Sequence, residues 1–225
     1  ILDRRGEPLA VSAPVVSLWA NPQVLAADVE HAKQVAQSLG LPEVEFLKRL
    51  ARMENKEFMY LKRHLNPAEA EVVLKQQWPG VHGVEEFNRY YPAAEVATHL
   101  VGFNNVDDQG QEGMELAYDP WLQGTSGKKV VQKDRTGRTV KDLKLLSNAQ
   151  PGKDLNLSID LRMQYVAYRE LKAVVQQHKA TSGSAVVLDV QTGEILAMVN
   201  QPAYNPNNRS VMSINSLRNR SFTDV

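Results

Sequence analysis

The chain contains no cysteine. Disulfide frameworks, thiolate zinc sites, iron–sulfur clusters and a cysteine nucleophile are thereby excluded, while the compartment is left open. It also has no surplus of either charge, since 26 Lys and Arg balance 26 Asp and Glu. A dedicated nucleic-acid binder carries a basic excess and a solvating tail an acidic one, so neither is expected. No apolar run approaches the roughly 18 residues of a membrane span. The longest, 183–188, has the length of a strand. No signal peptide is evident, and the chain opens on Ile1-Leu2-Asp3-Arg4 without a methionine, as a processed or excised chain does.

What is present is ordinary globular material. Of 225 residues, 43% are hydrophobic and 23% charged, enough for a sizeable core and for one large or two small domains. Residues 1–18 read as extended, because Val11, Val15, Val16 and Leu18 favour strand while Pro8 and Pro14 oppose helix. A helix is expected over 26–39, ended by Gly40. Another begins at Pro42, with Val44, Leu47 and Leu50 as its stripe and Phe46 and Met53 beside it. Residues 58–61 read as strand. Asn66-Pro67-Ala68-Glu69 then starts a helix to about residue 77, with Asn as cap, Pro in the first turn and Glu at the capping-box position. A strand over 84–90, a helix over 95–102 and a helix over 113–122 carrying Met114, Leu116, Ala117 and Trp121 come next.

From 128 to 146 short alternating strands broken at Arg135-Thr136-Gly137 predict a hairpin. The turn Ala149-Gln150-Pro151-Gly152 marks the expected domain boundary. Beyond it come a strand over 155–159 and a helix capped by Asp160 that runs to about 178, with Leu161, Tyr165, Tyr168, Leu171 and Val175 on one stripe. Two apolar strands, 184–190 and 194–199, are joined through Gln191-Thr192-Gly193. Their near-continuous apolar character implies burial on both faces. One helix covers only one face, so further chain is expected to complete this sheet. The tail from 201 onward is polar and irregular.

Candidate chemistry is sparse. His31, His64, His82, His99 and His178 never fall three or four apart, so no metal site is expected. Glu85-Glu86 and Asp107-Asp108 are adjacent pairs. On a strand such neighbours point to opposite faces, and the second pair reads as a turn rather than a general acid and base. The glycines at 110, 113, 124 and 127 lack the spacing of a phosphate cradle. Ser126-Gly-Lys-Lys129, Ser213-Ile-Asn215 and Arg135-Thr-Gly137 imitate the S-x-x-K, S-x-N and K-T-G strings of a penicillin-recognising enzyme. Their context fails. Ser126 sits in a glycine-flanked loop instead of on a helix face, and the K-T-G look-alike lies between the other two, in a hairpin turn. Seven basic residues against two acidic ones between 128 and 144 read as the solvated face of that hairpin, or as a patch for an anionic partner.

Six stretches in order carry a resemblance. They are Asp3-Arg4-Arg5-Gly6-Glu7-Pro8-Leu9-Ala10, then Arg89-Tyr90-Tyr91-Pro92 with His99 and Gly102, and the block from Gly110 to Gly127 with Gly113, Glu115, Leu122 and Gly124. Asp134-Arg135-Thr136-Gly137, Leu157-Ser158-Ile159-Asp160 with Gln164, and Thr192-Gly193-Glu194 through Pro202-Ala203-Tyr204-Asn205-Pro206-Asn207 complete the series. Together they resemble the class B penicillin-binding proteins, in particular the division-type, septal peptidoglycan D,D-transpeptidases. The resemblance covers essentially the whole chain.

The resemblance implies an α+β protein: an elongated N-terminal pedestal of short helices and antiparallel hairpins over 1–152, then the beginning of a transpeptidase domain over 153–225. In that family the S-x-x-K nucleophile comes shortly after a segment like Arg218-Asn219-Arg220-Ser221-Phe222-Thr223-Asp224-Val225, so no residue here inherits a catalytic role. No cofactor or metal is implied. The implied location is the periplasm at the division septum, with an inner-membrane anchor preceding this chain. The implied partners are division-complex membrane proteins, including a polymerising glycosyltransferase. Stem peptides and β-lactams would be reached only through the catalytic region. Arg89, Tyr90, Lys133 and Arg135 are the candidates for partner or regulatory contacts. Arg89 is expected to stack on Tyr90 or Tyr91 and to pair with a carboxylate. The readings set against this one are a stand-alone periplasmic interaction module and an autonomous hydrolase using Ser126 and Lys129.

Overall fold

The computed structural model of the chain describes residues 1–125, 127–133, 139–148 and 150–224. Ser126 and the Arg135-Thr136-Gly137 turn therefore lie outside the described residues. The chain divides into two units, one of 13–88 with 127–148, the other of 1–12, 89–126 and 149–225.

The first unit is organised by a three-stranded sheet. Strands β1 (Val11–Ala20), β2 (Met59–Leu65) and β3 (Val81–Tyr90) lie in the order β2-β1-β3. Strands β1 and β2 run antiparallel with register shifts near Leu18, and His64 enters the left-handed region at φ 57°. Three longer helices accompany the sheet among the described residues: α1 (Val29–Ser38), α2 (Glu43–Arg52) and α3 (Pro67–Leu74). Local chemistry sets their ends. The Asp28 carboxylate accepts from the His31 amide at the start of α1, and Gly40 at φ 63° lies just past its end. Asn66 accepts from the Ala68 amide ahead of Pro67. Leu18, Leu25, Val35, Phe46, Leu50, Leu61 and Val73 form one buried cluster.

Two expectations change here. Helix α1 starts at Val29 rather than near 26, because Pro22–Leu25 makes its own short turn and Asp28 caps the longer helix separately. On α2 the inward residues are Phe46 and Leu50, and Val44 is 65% exposed. Two residues of helix turn a side chain by about 200°, so Val44 and Phe46 cannot both face the core. This unit also holds a second antiparallel pair, β4 (Lys128–Lys133) with β5 (Thr139–Ser147), interrupted by three register shifts.

The second unit is built on helix α4 (Leu161–Gln177) and the antiparallel pair β6 (Gly183–Leu188) and β7 (Ile195–Gln201). Gly193 at φ 76° turns the hairpin, and the Asp189 carboxylate accepts from the amides of Gln191 and Thr192. The inward row of α4 is Leu161, Gln164, Tyr168, Leu171 and Val175; Gln164 stands where Tyr165 was expected, and Tyr165 is exposed. Strand β7 is buried continuously from Ala197 to Gln201, whereas β6 alternates and leaves Val186 and Leu188 about half exposed. The expectation of burial on both faces is thus met by β7 alone within this chain.

Other segments of the unit are irregular. Residues 155–159 form no strand of their own. Instead Leu2 donates to the Leu155 carbonyl, Leu157 to Leu2 and Arg4 to Ile159, so the chain start pairs with them over too few residues for a ladder. The helix expected over 113–122 breaks into Gly113–Ala117 and Asp119–Leu122. Pro120, which lacks an N–H and disfavours helix before it, sits in the first turn of the second piece. The helix expected over 95–102 is likewise a single 3₁₀ turn, Ala94–Val96, and then the short helix Thr98–Val101. Among the described residues no helix is long and apolar enough to cross a membrane.

Two glycines in the left-handed region separate conformational need from contact. A Cβ on Gly102, at φ 77°, would lie 1.8 Å from the Glu112 carbonyl oxygen, whereas one on Gly193 would meet nothing within 4 Å. Gly193→Ala is expected to cost about 1 kcal/mol, the left-handed penalty alone. Gly102→Ala, which must also push backbone apart, is expected to cost at least about 3 kcal/mol. Urea denaturation of both variants checks the contrast, and equal losses would contradict it.

Candidate functional site

Residues 89–104 have little regular structure, so their buried backbone groups need partners from elsewhere. The segment begins as β3 ends. Arg89 Nε donates to Glu115 Oε1 at 2.7 Å and Nη1 donates to Ser12 Oγ at 3.0 Å. Both charged side chains are withdrawn from water, at 13% and 5% exposure. Nη2 has no hydrogen-bond partner among the described residues. Burial of Glu115 explains the break with the apolar stripe expected on 113–122: the carboxylate, not Leu116 or Trp121, faces inward.

Tyr91 is buried and doubly engaged. Its hydroxyl donates to Asn104 Oδ1 at 3.2 Å and accepts from the Asn104 amide at 3.0 Å. Its main-chain N–H donates to Asn207 Oδ1 at 3.0 Å, and its carbonyl accepts from Asn207 Nδ2 at 2.9 Å. The Asn207 carboxamide therefore pairs with Tyr91 as a neighbouring strand would. Burial, with the Glu115 charge adding to it, pushes the Tyr91 phenol far above its ordinary range.

Further along the segment, His99 is buried with Nε2 2.8 Å from the Ser216 carbonyl. A carbonyl only accepts, so Nε2 carries the proton and the tautomer is fixed. The ring meets Tyr204 edge-on, with centroids 5.5 Å apart. Tyr204 donates to the Thr98 carbonyl, and burial pushes its phenol up to about 12. Burial lowers the His99 pKa, the bond to Ser216 opposes that, and the Arg220 charge lowers it further.

The entry of α4 completes the site. Asp160 caps the helix through the amides of Arg162 and Met163 and accepts from Arg5 Nε at 2.9 Å. The Arg162 side chain and then Arg5, against desolvation, hold its carboxyl well below the ordinary aspartate range. Asp3 accepts from the amides of Arg5 and Glu7 on one oxygen and Leu161 on the other. Beside these groups lies an open groove of about 700 Å³, with Pro92, Val96, Leu161 and Val166 in its lining and Arg5 and Arg162 among the charged residues there.

Of the four residues singled out in the sequence, Arg89 and Tyr90 belong to the second unit. Arg89 is interior and meets a carboxylate, rather than stacking on Tyr90 or Tyr91. Tyr90 is half exposed. Lys133 lies in β4, within the other unit, and pairs by backbone with Thr139. Arg135 lies outside the described residues. The structure instead gives bonding roles to Tyr91, His99, Asn104, Glu115, Gln164 and Asn207, of which all but Asn104 lie in the blocks of resemblance without having been singled out for contacts. For Asn207 a second signal was the run Asn205-Pro206-Asn207-Asn208, carboxamides in a tail without periodicity. Ser213 of the S-x-N look-alike is a helix cap: its hydroxyl accepts from the Ser216 amide in a capping box. This arrangement binds segments together, and among the described residues nothing in it forms a nucleophile–base pair.

Comparison with known proteins places this geometry. Residues 1–157 match the Penicillin-binding Protein dimerisation domain, and residues 183–225 match the Penicillin binding protein transpeptidase domain. The chain is 46% identical over 230 residues to the peptidoglycan D,D-transpeptidase FtsI of Escherichia coli K12, an alignment that covers all of this chain and 39% of that protein. It is 43% identical over 225 residues to the probable peptidoglycan D,D-transpeptidase PbpC of Pseudomonas aeruginosa, covering all of this chain and 40% of that one. The chain thus spans about two fifths of the length of these relatives. Among solved structures it superposes on penicillin-binding protein 2X of Streptococcus thermophilus with a TM-score of 0.64 at 21% identity, over 100% of this chain and 36% of that one. It also superposes on a complex of PBP2 and MreC from Helicobacter pylori with a TM-score of 0.66 at 21% identity, over 92% and 42% of the two chains. At these identities the structural likeness is one of fold.

Two outcomes are expected of the site itself. Arg89→Met leaves the buried Glu115 carboxylate unpaired and is expected to cost about 3–5 kcal/mol, most of it recovered in Arg89→Met/Glu115→Leu. Denaturant midpoints of the two variants decide this. For His99 the folded pKa lies below its ordinary 6.5, so the unfolded chain binds the proton more readily. The stability is full above that value and is lost as pH falls through and below it. Subtracting the pH profile of His99→Gln, which keeps a donor for Ser216, should isolate this slope; a slope identical in wild type and variant would refute it.

Proposed function

The chain belongs to the class B penicillin-binding proteins, and from that premise we propose that it is the N-terminal pedestal of a division-type peptidoglycan D,D-transpeptidase joined to the opening elements of the catalytic domain. The observation that carries the reading is the order of the two family matches on one chain, dimerisation domain first and transpeptidase domain second. The junction falls near 149–152 in this proposal, where the Gln150 and Thr125 backbones bond to one another and α4 has yet to begin.

In the parent enzyme a serine hydroxyl attacks the stem-peptide carbonyl and D-alanine leaves. The acyl group then passes to the amine of a neighbouring stem peptide, with an oxyanion hole stabilising the tetrahedral intermediates. The proposal assigns those groups to the remaining length of the parent. Within this chain Ser213 is occupied as a cap, bonded to Ser216 rather than to a lysine. The pedestal's task is then geometric: it holds the catalytic domain at a fixed offset and offers surface to partners.

For location, the reading places the module in the periplasm at the septum, tethered by a membrane helix of the parent. For partners, it names division-complex membrane proteins, a polymerising glycosyltransferase among them. The solved assembly of a PBP2 with MreC supports the general idea that proteins of this fold bind other proteins. Half-exposed Tyr90 is the contact residue this proposal favours, with Lys133 and Arg135 as charged candidates. Arg89 serves by fixing the backbone on which Tyr90 stands.

Fluorescent penicillin provides the test. The 225-residue chain is expected to remain unlabelled, while the full-length parent labels covalently at a serine outside these residues. Covalent labelling of the short chain at Ser126, lost in Ser126→Ala, would overturn the proposal.

A further inference from the structure

The Asn200 carboxamide is buried at 1% exposure and lies at the meeting point of several segments. Its Oδ1 accepts from Ser184 Oγ on β6 at 2.7 Å, and from both the amide and the hydroxyl of Ser221 at 2.9 Å. Its Nδ2 donates to Asn219 Oδ1 at 2.9 Å. Asn219 Nδ2 donates in turn to the His99 carbonyl at 3.2 Å. One continuous run of hydrogen bonds therefore leads from β6, through the end of β7, into residues 219–221 and on to the Thr98–Val101 turn. The bond from His99 Nε2 to the Ser216 carbonyl closes a second link between the same two segments.

Residues 213–224 bury little apolar surface, Ser216 being buried and Leu217 half-buried. Their helices, Ile214–Leu217 and Arg220–Thr223, are four residues each. Helices so short are not stable alone. Phe222 is exposed, so apolar burial contributes little at the end of the segment. The contacts of Arg218 with Asp224 and of Arg220 with Asn215 are internal to it and do not fix it against the rest of the unit. Among the described residues, the hydrogen bonds of this segment to the rest of the unit all go to Asn200 and His99.

We infer that Asn200 and Asn219 are positioning residues, which hold segment 213–224, and through it the acylated serine of the parent, at a fixed place against the Thr98–Val101 turn of the pedestal. This rests on the transpeptidase reading, in which the nucleophile motif comes after this segment. Each replacement has a defined local effect. Alanine at 219 removes both the acceptor for Asn200 Nδ2 and the donor to His99. Alanine at 200 leaves Ser184, Ser221 and Asn219 without their shared partner. The segment is then free to shift while the apolar clusters of the chain are untouched.

The experiment uses the purified full-length parent with Asn200→Ala and, as the milder change, Asn219→Ala. Two readouts are taken on each: the second-order rate constant for acylation by fluorescent penicillin, and hydrogen exchange of the amides in 213–224 by mass spectrometry. The expected result is an acylation constant at least about tenfold lower in the folded fraction, with exchange at least about tenfold faster in that segment and unchanged in α1–α3. A purely structural role would instead lower the melting temperature and the amount of active protein while leaving the acylation constant of the folded fraction at its wild-type value. That outcome, or unchanged exchange in 213–224, overturns the inference. Absence of labelling in the wild-type parent would count against the transpeptidase reading instead. The exchange result would then still decide whether Asn200 and Asn219 hold the segment.

Discussion

Side-chain amides and carboxylates bonded to distant backbone are the interaction on which the second unit depends. Gln164 shows the logic most fully. It is buried on α4, donates to the carbonyls of Val96 and Met198 at 2.7 Å each, and accepts from the Met198 amide at 2.8 Å. One residue thus ties the helix to β7 and to the turn at 94–96. Asp3 does the same for the chain start and the first turn of α4, and Asn207 does it for Tyr91. Each such group left unsatisfied in the interior costs about 1–3 kcal/mol. Irregular backbone can be buried here only because these side chains stand in for the strands that are missing beside it.

The same economy governs charge. Surface pairs such as Lys33 with Glu30 and Lys75 with Glu71 are highly exposed and contribute little, because water and salt screen them. The consequential charges are withdrawn: Glu115 under Arg89, and Asp160 under Arg5 and Arg162. Asp160 and His99 then respond to acid in separate windows. The folded Asp160 carboxyl titrates below its ordinary 3.8, so its contribution is present above that value and disappears only as pH falls further. His99 begins to disfavour the fold already beneath 6.5. Mild acid therefore acts first on the contact between the Thr98–Val101 turn and Ser216, before the α4 cap is touched.

Where amino-acid pattern and local chemistry act together, the fold was legible. Asn66-Pro67, Gly40, Asp160 and Gly193 sit at the element ends assigned to them, because caps and turns are decided within a few residues. Pattern failed where the inward residue is polar. Gln164 displaced Tyr165 and Glu115 displaced Leu116, since an apolar periodicity has no means of announcing a buried carboxamide or ion pair. Val44 was a different kind of error, an apolar residue off the true face of α2. The site was less legible still. Arg89 and Tyr90 were visible as a cation among aromatics, but Asn104, Asn200, Asn207 and Asn219 carry roles set by partners up to 120 residues away. Only ordered blocks of family resemblance reach across such separations.

The two units differ in what holds them, and the difference bears on what each is suited to do. The first closes on a cluster of Leu, Val, Ala, Phe and Met side chains, and burial of that kind is strong but non-directional. It tolerates small displacements of one element against another. The second has smaller apolar clusters and relies on bonds that weaken steeply when donors and acceptors move apart or lose alignment. Such bonds contribute modestly to net stability and strongly to geometry. In the transpeptidase reading, a scaffold that presents a reactive segment at one position needs the second kind where that segment is attached, and the bonds converging on Asn200 and His99 lie where segment 213–224 meets the rest of the unit.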